Sequence, residues 1–282
     1  MKRNLQNSRV IITGASSGIG RALAVELAKK GARLIITARR QEALFSLAEE
    51  LEQKYSTEIL FVVGDIISET VQNKLIQTAM DRWNGFDILI NNAGVGATER
   101  IEETSPEIVR QLFEVNFMAM VFLTQKAIPI LRQKSQDEMK SEGQADQSGQ
   151  LNRRVSPLIV NLGSIVGVRG TPCYGIYGAA KAAVINYSDS LRAELSVDSI
   201  DVLLVCPGTT RSEFFDVLLE NRSMPNFPKH NAVSPEYVAQ KIVRAMEQGK
   251  HRIIPHFFSK ILFFLNRISP SFVDWLMTKY LP

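Results

Sequence analysis

A tyrosine and a lysine stand four residues apart, at Tyr177 and Lys181, within a stretch that has the pattern of a helix. Residues four apart lie on one face of a helix, so these two side chains are neighbours. A nearby ammonium favours the phenolate and lowers the pKa of a tyrosine. Tyr177 is therefore a candidate proton donor and acceptor. The same pair on a surface helix would have no chemical role, and the spacing alone does not separate the two interpretations.

Ser164 lies two residues past the apolar run 158–162. Its hydroxyl is a candidate hydrogen-bond donor to a substrate oxygen on which charge develops.

A second chemical signal is the glycine-rich turn 13–20, between the apolar run 10–12 and the helical pattern 21–30. A strand, a glycine turn and a helix together present free backbone N–H groups and the positive end of a helix dipole to a phosphate. The glycines are spaced G-x-x-x-G-x-G, not G-x-G-x-x-G. A tight turn that only needs small residues is the alternative.

The elements that must position these residues follow from the hydrophobic pattern, in which continuous apolar runs alternate with helical stretches. Strands are predicted at 10–12, 33–38, 59–63, 87–90, 158–162, 200–205 and 252–254. Helices are predicted at 21–30, 41–55, 69–83, 106–132, 174–195 and from 234 onward. Apolar strands in such an alternation predict an α/β fold with a doubly wound, Rossmann-like parallel sheet. Ligands bind such sheets at the carboxyl ends of the strands, where each motif above lies.

Two segments interrupt the alternation, and they set the predicted organisation. Residues 1–255 are predicted to be one catalytic domain, and 133–156 form a polar insertion in it, either solvated or used to dock a partner. Residues 256–282 form an apolar, predicted helical, C-terminal tail with Lys260, Arg267 and Trp275. The tail is too short and interrupted for a membrane span. It could pack on the domain, join an oligomer or make peripheral membrane contact.

Composition excludes several classes of protein. With 282 residues, 45% hydrophobic residues and a net charge of +4, the chain can build a large core. It has no dense basic patch with aromatics, so we expect no nucleic-acid partner. Cys173 and Cys206 lack metal-ligand spacing, so we expect no metal site. No apolar stretch follows Met1, so we expect no secretory signal and a cytoplasmic protein, with peripheral membrane association as an option for the tail.

The chain resembles the short-chain dehydrogenase/reductase family, in its single-domain branch, over about 9–251. The motifs that carry the resemblance are 13–20, 91–94, Asn116, 163–164, 177–181 and 207–208. The resemblance implies that Tyr177 is the acid in reduction and the base in oxidation, and that Lys181 lowers its pKa and holds the nicotinamide ribose. It implies that Ser164 orients the substrate and that Asn116 holds a water in a proton relay.

The resemblance also implies a set of cofactor-binding residues. They are Gly14, Ser16, Ser17, Gly18, Ile19, Gly20, Arg39, Arg40, Asp65, Ile66, Asn91, Ala93, Gly94, Tyr177, Lys181, Pro207, Gly208 and Thr210. A carboxylate after the second strand would pair with the ribose of NAD, whereas an arginine accommodates the 2′-phosphate of NADP. This chain has Arg39 and Arg40 and no acid there, and a solvated loop pair is the alternative. We predict NADP(H), with Arg39 as the main phosphate ligand because a guanidinium binds phosphate bidentately.

The predicted function is NADPH-dependent reduction of a hydrophobic ketone or aldehyde, with Ser164 and Tyr177 at the substrate. The expected substrate walls are apolar and suit a lipid-like, acyl or aromatic compound. They comprise Val95, Val168, Pro172, Tyr174, Phe214, Phe215, Leu218 and Leu219. The alternatives are an NADP-binding regulatory or scaffold protein on the same fold, and physiological alcohol oxidation. A homodimer or homotetramer through the helices that begin near Pro106 and Tyr174 is expected from the resemblance.

Overall fold

The computed structural model describes residues 3–140, 156–215, 218–223 and 232–279. Within these ranges seven strands form one parallel sheet in the order β3-β2-β1-β4-β5-β6-β7. The strands are β1 Arg9–Thr13, β2 Arg33–Ala38, β3 Ile59–Val63, β4 Ile88–Asn91, β5 Leu158–Leu162, β6 Asp201–Val205 and β7 Arg252–Ile253. The helices are α1 Gly18–Ala28, α2 Gln41–Tyr55, α3 Glu69–Trp83, α4 Pro106–Phe113, α5 Ala119–Lys140, α6 Ile165–Val168, α7 Gly175–Leu195, α8 Pro235–Glu247, α9 Phe257–Ile268 and α10 Pro270–Thr278.

Helices cover both faces of the sheet, as its apolar strands require. Apolar residues of α1, α2 and α8 pack on one face, and those of α3, α5 and α7 pack on the other. Alternate strand residues serve the two layers: Val10 and Ile12 belong to the first and Ile11 to the second. The predicted doubly wound parallel sheet is confirmed. Every β-to-α connection in it therefore leaves from the same edge.

The predicted 106–132 helix is wrong in both its continuity and its end. The chain forms α4, a single π-helical turn at Glu114–Met118, and then α5, which continues to Lys140. Residues 133–140 are thus the last turns of a helix and not the start of an insertion. Their polarity reflects an exposed helix end, where Gln133 Nε2 donates to Asp137 Oδ1 at 2.9 Å. The rest of the predicted insertion, 141–155, lies outside the described residues.

The tail is helical and packs on the domain. Val273 and Met277 of α10 are buried, and Arg169 at the end of α6 forms an ion pair with Asp274 of α10. Among the described helices, none combines the length and the hydropathy that crossing a membrane requires.

The turn after β1 lies flat against the end of β4 because two glycines leave room for it. A Cβ on Gly20 would overlap the carbonyl oxygen of Gly14 and the side-chain nitrogen of Asn92. Gly14 has φ of 67°, in the left-handed region, and a Cβ there would lie 2.7 Å from the Cα of Ala93. Side chains at these two positions would separate β1 from β4 at the edge where the motifs meet.

We expect Gly20→Ala to destabilise the protein, because the new methyl group meets backbone that cannot move aside. Overpacking of this kind costs roughly 1–3 kcal/mol, which predicts a fall in Tm of several degrees. Gly170→Ala is the matched control, since a Cβ on Gly170 meets nothing within 4 Å. Thermal unfolding followed by circular dichroism measures both. Equal Tm values for the two variants would show that the turn tolerates separation from β4.

Candidate active site

A cavity of about 870 Å³ lies at the carboxyl edge of the sheet. Most of the residues predicted for cofactor or substrate contact line this single cavity. They are Gly14, Ser16, Ser17, Gly18, Ile19, Arg39, Arg40, Asp65, Ile66, Ala93, Gly94, Ser164, Tyr177, Lys181, Pro207, Gly208 and Thr210. Its size is large enough for a dinucleotide or for a sizeable organic ligand.

Ser164, Tyr177 and Lys181 come together where β5 ends and α7 begins. Ser164 caps α6, and its hydroxyl oxygen accepts a hydrogen bond from the backbone N–H of Val166 at 3.4 Å. The side chain of Ser164 interacts with the Tyr177 hydroxyl and favours its ionised form. Lys181 lies one turn further along α7, and its Nζ donates to the carbonyl oxygen of Leu162 at 2.9 Å. The serine and tyrosine hydroxyls thus face the same point in the cavity.

Burial dominates the pKa of Tyr177 in the described structure. It raises this pKa, and the interaction with Ser164 only partly offsets the rise. The ammonium of Lys181 lies 5.9 Å from the centre of the tyrosine ring and is bonded to a backbone carbonyl, and its predicted effect on the Tyr177 pKa stays a prediction. Burial also lowers the pKa of Lys181, to about 8. At neutral pH Tyr177 therefore holds its proton, which is the form that can donate.

The amino end of α1 has the features of a phosphate site. Ser17 occupies the cap position without a side-chain capping bond, so the first N–H groups of the helix have no side-chain acceptor there. Gly18 and Ile19 of this first turn line the cavity. The residues present thus fit the pyrophosphate of a dinucleotide, with the positive end of the helix dipole toward it.

Thr13 and Asn92 fix this turn, and neither was among the predicted site residues. The hydroxyl oxygen of Thr13 accepts the backbone N–H groups of Asn92 and Ala93, each at 3.0 Å. The amide of Asn92 donates to the carbonyl oxygens of Thr13 at 2.9 Å and Gly14 at 3.0 Å. A threonine that precedes the glycine turn, together with an asparagine at the end of another strand, is the sequence signal that would have identified them.

Gly20, Asn91 and Asn116 are not among the residues that line the cavity, and their predicted cofactor and catalytic roles stay predictions. Gly20 packs on Gly14, as described above. Asn91 is buried and donates to Thr124 Oγ1 at 3.0 Å and to Asn161 Oδ1 at 2.9 Å. Asn91 and Asn161 are register partners on β4 and β5, so their amides tie the sheet to α5. In the described structure Gly20 and Asn91 thus support the edge of the sheet where the site lies.

Asn116 lies in the π-helical turn and brackets the loop after β4. Its Nδ2 donates to the carbonyl oxygens of Val95 at 2.8 Å and Leu112 at 2.9 Å. Its Oδ1 accepts the N–H of Val95 at 3.2 Å, and a Cβ on Gly94 would lie 2.7 Å from that oxygen. The side chain therefore positions Gly94 and Val95 against the cavity, and its part in a proton relay stays a prediction.

Two arginines follow β2, and they have different partners. Arg40 donates to the carbonyl oxygen of Ser16 at 3.2 Å and forms an ion pair with Glu213 at 2.7 Å. Arg39 lies 4.0 Å from Asp65, and its side chain is 67% exposed. The head group of Arg39 is thus held only loosely by its partner. Both arginines line the cavity next to the turn that precedes α1.

The tail contributes a wall that the sequence did not predict. Leu262 and Leu265 of α9 and Leu276 and Met277 of α10 line the cavity. Of the predicted substrate walls, Val95, Tyr174 and Phe214 line it, and the ring of Phe214 lies 5.7 Å from that of Tyr177. Val168, Pro172, Leu218 and Leu219 are not among the lining residues, and the side chain of Phe215 lies outside the described residues. The part of the cavity next to Tyr177 is largely apolar.

His256 is also new, and it connects the tail to the site. It is buried, and its ring nitrogens contact the backbone of Gly208 and Thr209. Burial lowers its pKa, so the ring is neutral at pH 7. The sequence pattern does not indicate this contact, because His256 is far from Gly208 along the chain.

Comparisons with known proteins agree with this arrangement. The family model described as short chain dehydrogenase matches residues 8–139 and 146–223. The chain is 30% identical over 275 residues to 11-beta-hydroxysteroid dehydrogenase-like 2 of Arabidopsis thaliana, which covers 97% of this chain and 82% of the relative.

Two solved structures share the fold. A short-chain dehydrogenase/reductase from Burkholderia phymatum in complex with NAD aligns with a TM-score of 0.80 at 23% identity, over 95% of this chain and 96% of the other. A short-chain dehydrogenase from Sphingobium yanoikuyae in complex with NADPH aligns with a TM-score of 0.76 at 24% identity, over 95% of each chain. The extent of the family match, with the serine, tyrosine and lysine gathered at one cavity, leads to one conclusion: this protein belongs to the short-chain dehydrogenase/reductase family.

Proposed function

We propose that the protein is an NADPH-dependent reductase of hydrophobic ketones or aldehydes. The observation that carries the proposal is the Tyr177 hydroxyl, which lies with Ser164 at a largely apolar cavity. A bound reduced nicotinamide would supply hydride to the carbonyl carbon. Tyr177 would donate its proton to the carbonyl oxygen, and Ser164 would hold that oxygen by a hydrogen bond as charge develops on it.

The protonated state of Tyr177 suits the acid that carbonyl reduction needs. Because burial raises its pKa, the residue starts as an acid, whereas oxidation needs the phenolate as a base. Lys181, with a pKa near 8, is mostly cationic at pH 7 and would stabilise the phenolate left after proton transfer.

The choice of NADPH rests on the two arginines after β2. A 2′-phosphate placed beside Ser16 would meet Arg40, and the exposed guanidinium of Arg39 can turn to it at small cost, because it has only a distant partner. Solved relatives with NAD and with NADPH share the fold equally, so the fold itself does not select the cofactor.

A hydrophobic substrate is the best match to the cavity walls. Phe214 and Tyr174 flank Tyr177, and the inner faces of α9 and α10 add leucine and methionine side chains. The relative from Arabidopsis thaliana is named as a hydroxysteroid dehydrogenase-like protein, and steroids have this apolar character. A rigid or extended lipid-like carbonyl compound is therefore the substrate class that we propose.

The outward side of the tail supports a membrane location for this chemistry. We define the outer tail face as Phe264 and Ile268 of α9 with Phe272 and Trp275 of α10, none of which lines the cavity. Phe264 and Ile268 are four residues apart, so they share one side of the helix. All four side chains are exposed, from 46% for Phe272 to 81% for Ile268.

Basic residues border this apolar surface. Lys260 and Arg267 are seven apart on α9 and lie along one edge of the outer tail face, and Lys279 lies 3.8 Å above the ring of Trp275. Apolar and aromatic side chains bordered by cations suit the interface of an anionic bilayer, where each cation near the surface adds about 1 kcal/mol. We propose a lipid surface as the occupant of this face. Since the inner sides of the same helices line the cavity, a membrane-dissolved substrate would have a short path to Tyr177.

We expect Tyr177→Phe to lose turnover by at least about 100-fold, because the acid is removed while the ring stays. The assay follows NADPH oxidation with a panel of hydrophobic ketones and aldehydes, and a separate titration checks that the nucleotide still binds. Tyr174→Phe, whose ring lies 6.3 Å from that of Tyr177, is the matched control and should keep activity within a few-fold. Nucleotide binding without turnover in the wild type would favour a regulatory or scaffold role.

We expect Arg39→Ala to lower the ratio of kcat/KM for NADPH to that for NADH by about 10- to 100-fold. This range follows from the typical strength of a hydrogen bond to a charged group. Arg110→Ala, which alters a 75% exposed arginine on α4, is the control and should leave the ratio unchanged. A wild-type protein that uses NADH as efficiently as NADPH contradicts the cofactor proposal.

We expect the double variant Phe264→Ser, Ile268→Ser to lose cosedimentation with vesicles of phosphatidylcholine and phosphatidylserine, while the wild type binds them and releases them at high salt. Val197→Ser is the control, since it removes an 84% exposed apolar side chain away from the tail. Analytical ultracentrifugation without vesicles tests whether a second copy of the chain covers the outer tail face instead. A wild-type oligomer that dissociates in the double variant, without vesicle binding, would assign the outer tail face to a second copy of the chain.

A further inference from the structure

His256 lies between β7 and α9, at the cap position of α9, and is 4% exposed. Its Nδ1 accepts the backbone N–H of Gly208 at 3.0 Å. Its Nε2 lies 2.9 Å from the carbonyl oxygen of Thr209. A carbonyl can only accept, so the ring proton is on Nε2 and the neutral ring bridges both backbone groups.

Gly208 fits against the first turn of α9 only because it has no side chain. A Cβ there would overlap Ser259 Oγ and lie 3.1 Å from Cγ of His256. The backbone of Gly208 and Thr209 and the start of the tail are thus in direct contact. A movement of one displaces the other, since packed and hydrogen-bonded segments do not deform independently.

The Pro207–Thr210 segment is also a wall of the cavity, next to the residues around Tyr177. In the proposed function it lies against the nicotinamide. The same histidine therefore touches the wall of the cofactor site and the root of the helices that form the substrate wall.

We propose that His256 is a positioning residue that holds Gly208 and Thr209 for the cofactor and thereby couples cofactor binding to docking of the tail. The proposal rests on the proposed nucleotide site. Coupling between two sites is reciprocal, so bound nucleotide stabilises the docked tail and the docked tail strengthens nucleotide binding. In this proposal the tail contributes to nucleotide binding at the active site.

The test compares His256→Leu, which removes both hydrogen bonds, with His256→Asn, whose Oδ1 can replace Nδ1 as the acceptor for Gly208. We expect the leucine variant to bind NADPH about 10-fold more weakly or worse, and the asparagine variant to stay within about 3-fold of the wild type. Binding is measured by fluorescence titration of the full chain. His251→Leu, at an exposed histidine five residues earlier, is the control.

A second readout separates coupling from a merely structural role. Amide hydrogen exchange in 257–278 should slow when NADPH is added to the wild type and to His256→Asn, and should not change in His256→Leu. If the leucine variant does not fold, His256→Ala takes its place. Each variant is titrated with NADH as well as NADPH. If the protein prefers NADH, the cofactor proposal is wrong, but the affinities of the variants can still be compared with the preferred nucleotide. Wild-type affinity in the leucine variant, or nucleotide-dependent protection of its tail, overturns the proposal.

Discussion

The site depends on the close approach of the turn after β1 to the end of β4. Gly14 and Gly20 permit this approach, and Thr13 and Asn92 fix it with backbone hydrogen bonds across the two strands. If the turn moved outward, the N–H groups of α1 would no longer face the cavity that Ala93 and Gly94 line. The backbone of two strand ends thus sets the geometry, and the side chains of the cavity only complete it.

A second constraint places Tyr177. Asn161 on β5 accepts from Asn91 and donates to Ser188 of α7 at 3.0 Å, so buried amides tie the centre of the sheet to the helix that carries Tyr177 and Lys181. Buried polar groups that are bonded in this way permit one arrangement and penalise others. Burial of these two residues has an electrostatic effect as well. It raises the pKa of Tyr177 and lowers the pKa of Lys181, because it disfavours the charged form of each.

The sequence correctly predicted the features that depend on local sequence pattern. The bounds of α2, α3, β2, β3 and β5 agree with the prediction, since apolar period and flanking turn residues decide them. Most of the residues that the family motifs identified also line the cavity. Two kinds of feature were outside its reach: the π-helical turn at Asn116 and the contact of His256 with Gly208. Each depends on partners distant in the chain, which a pattern of apolar and polar residues does not record.

The structure of the tail explains why its many apolar residues allowed more than one interpretation of the sequence. A helix that is hydrophobic on one side packs on a core, and α9 is hydrophobic on two sides. Leu262 and Leu265 face the cavity, and Phe264 and Ile268 remain exposed in the described structure. Packing on the domain therefore explains only half of its composition. His256 at the start of α9 is hydrogen-bonded to Gly208 in the cavity wall, so the helix with this exposed apolar surface is anchored directly at the cavity.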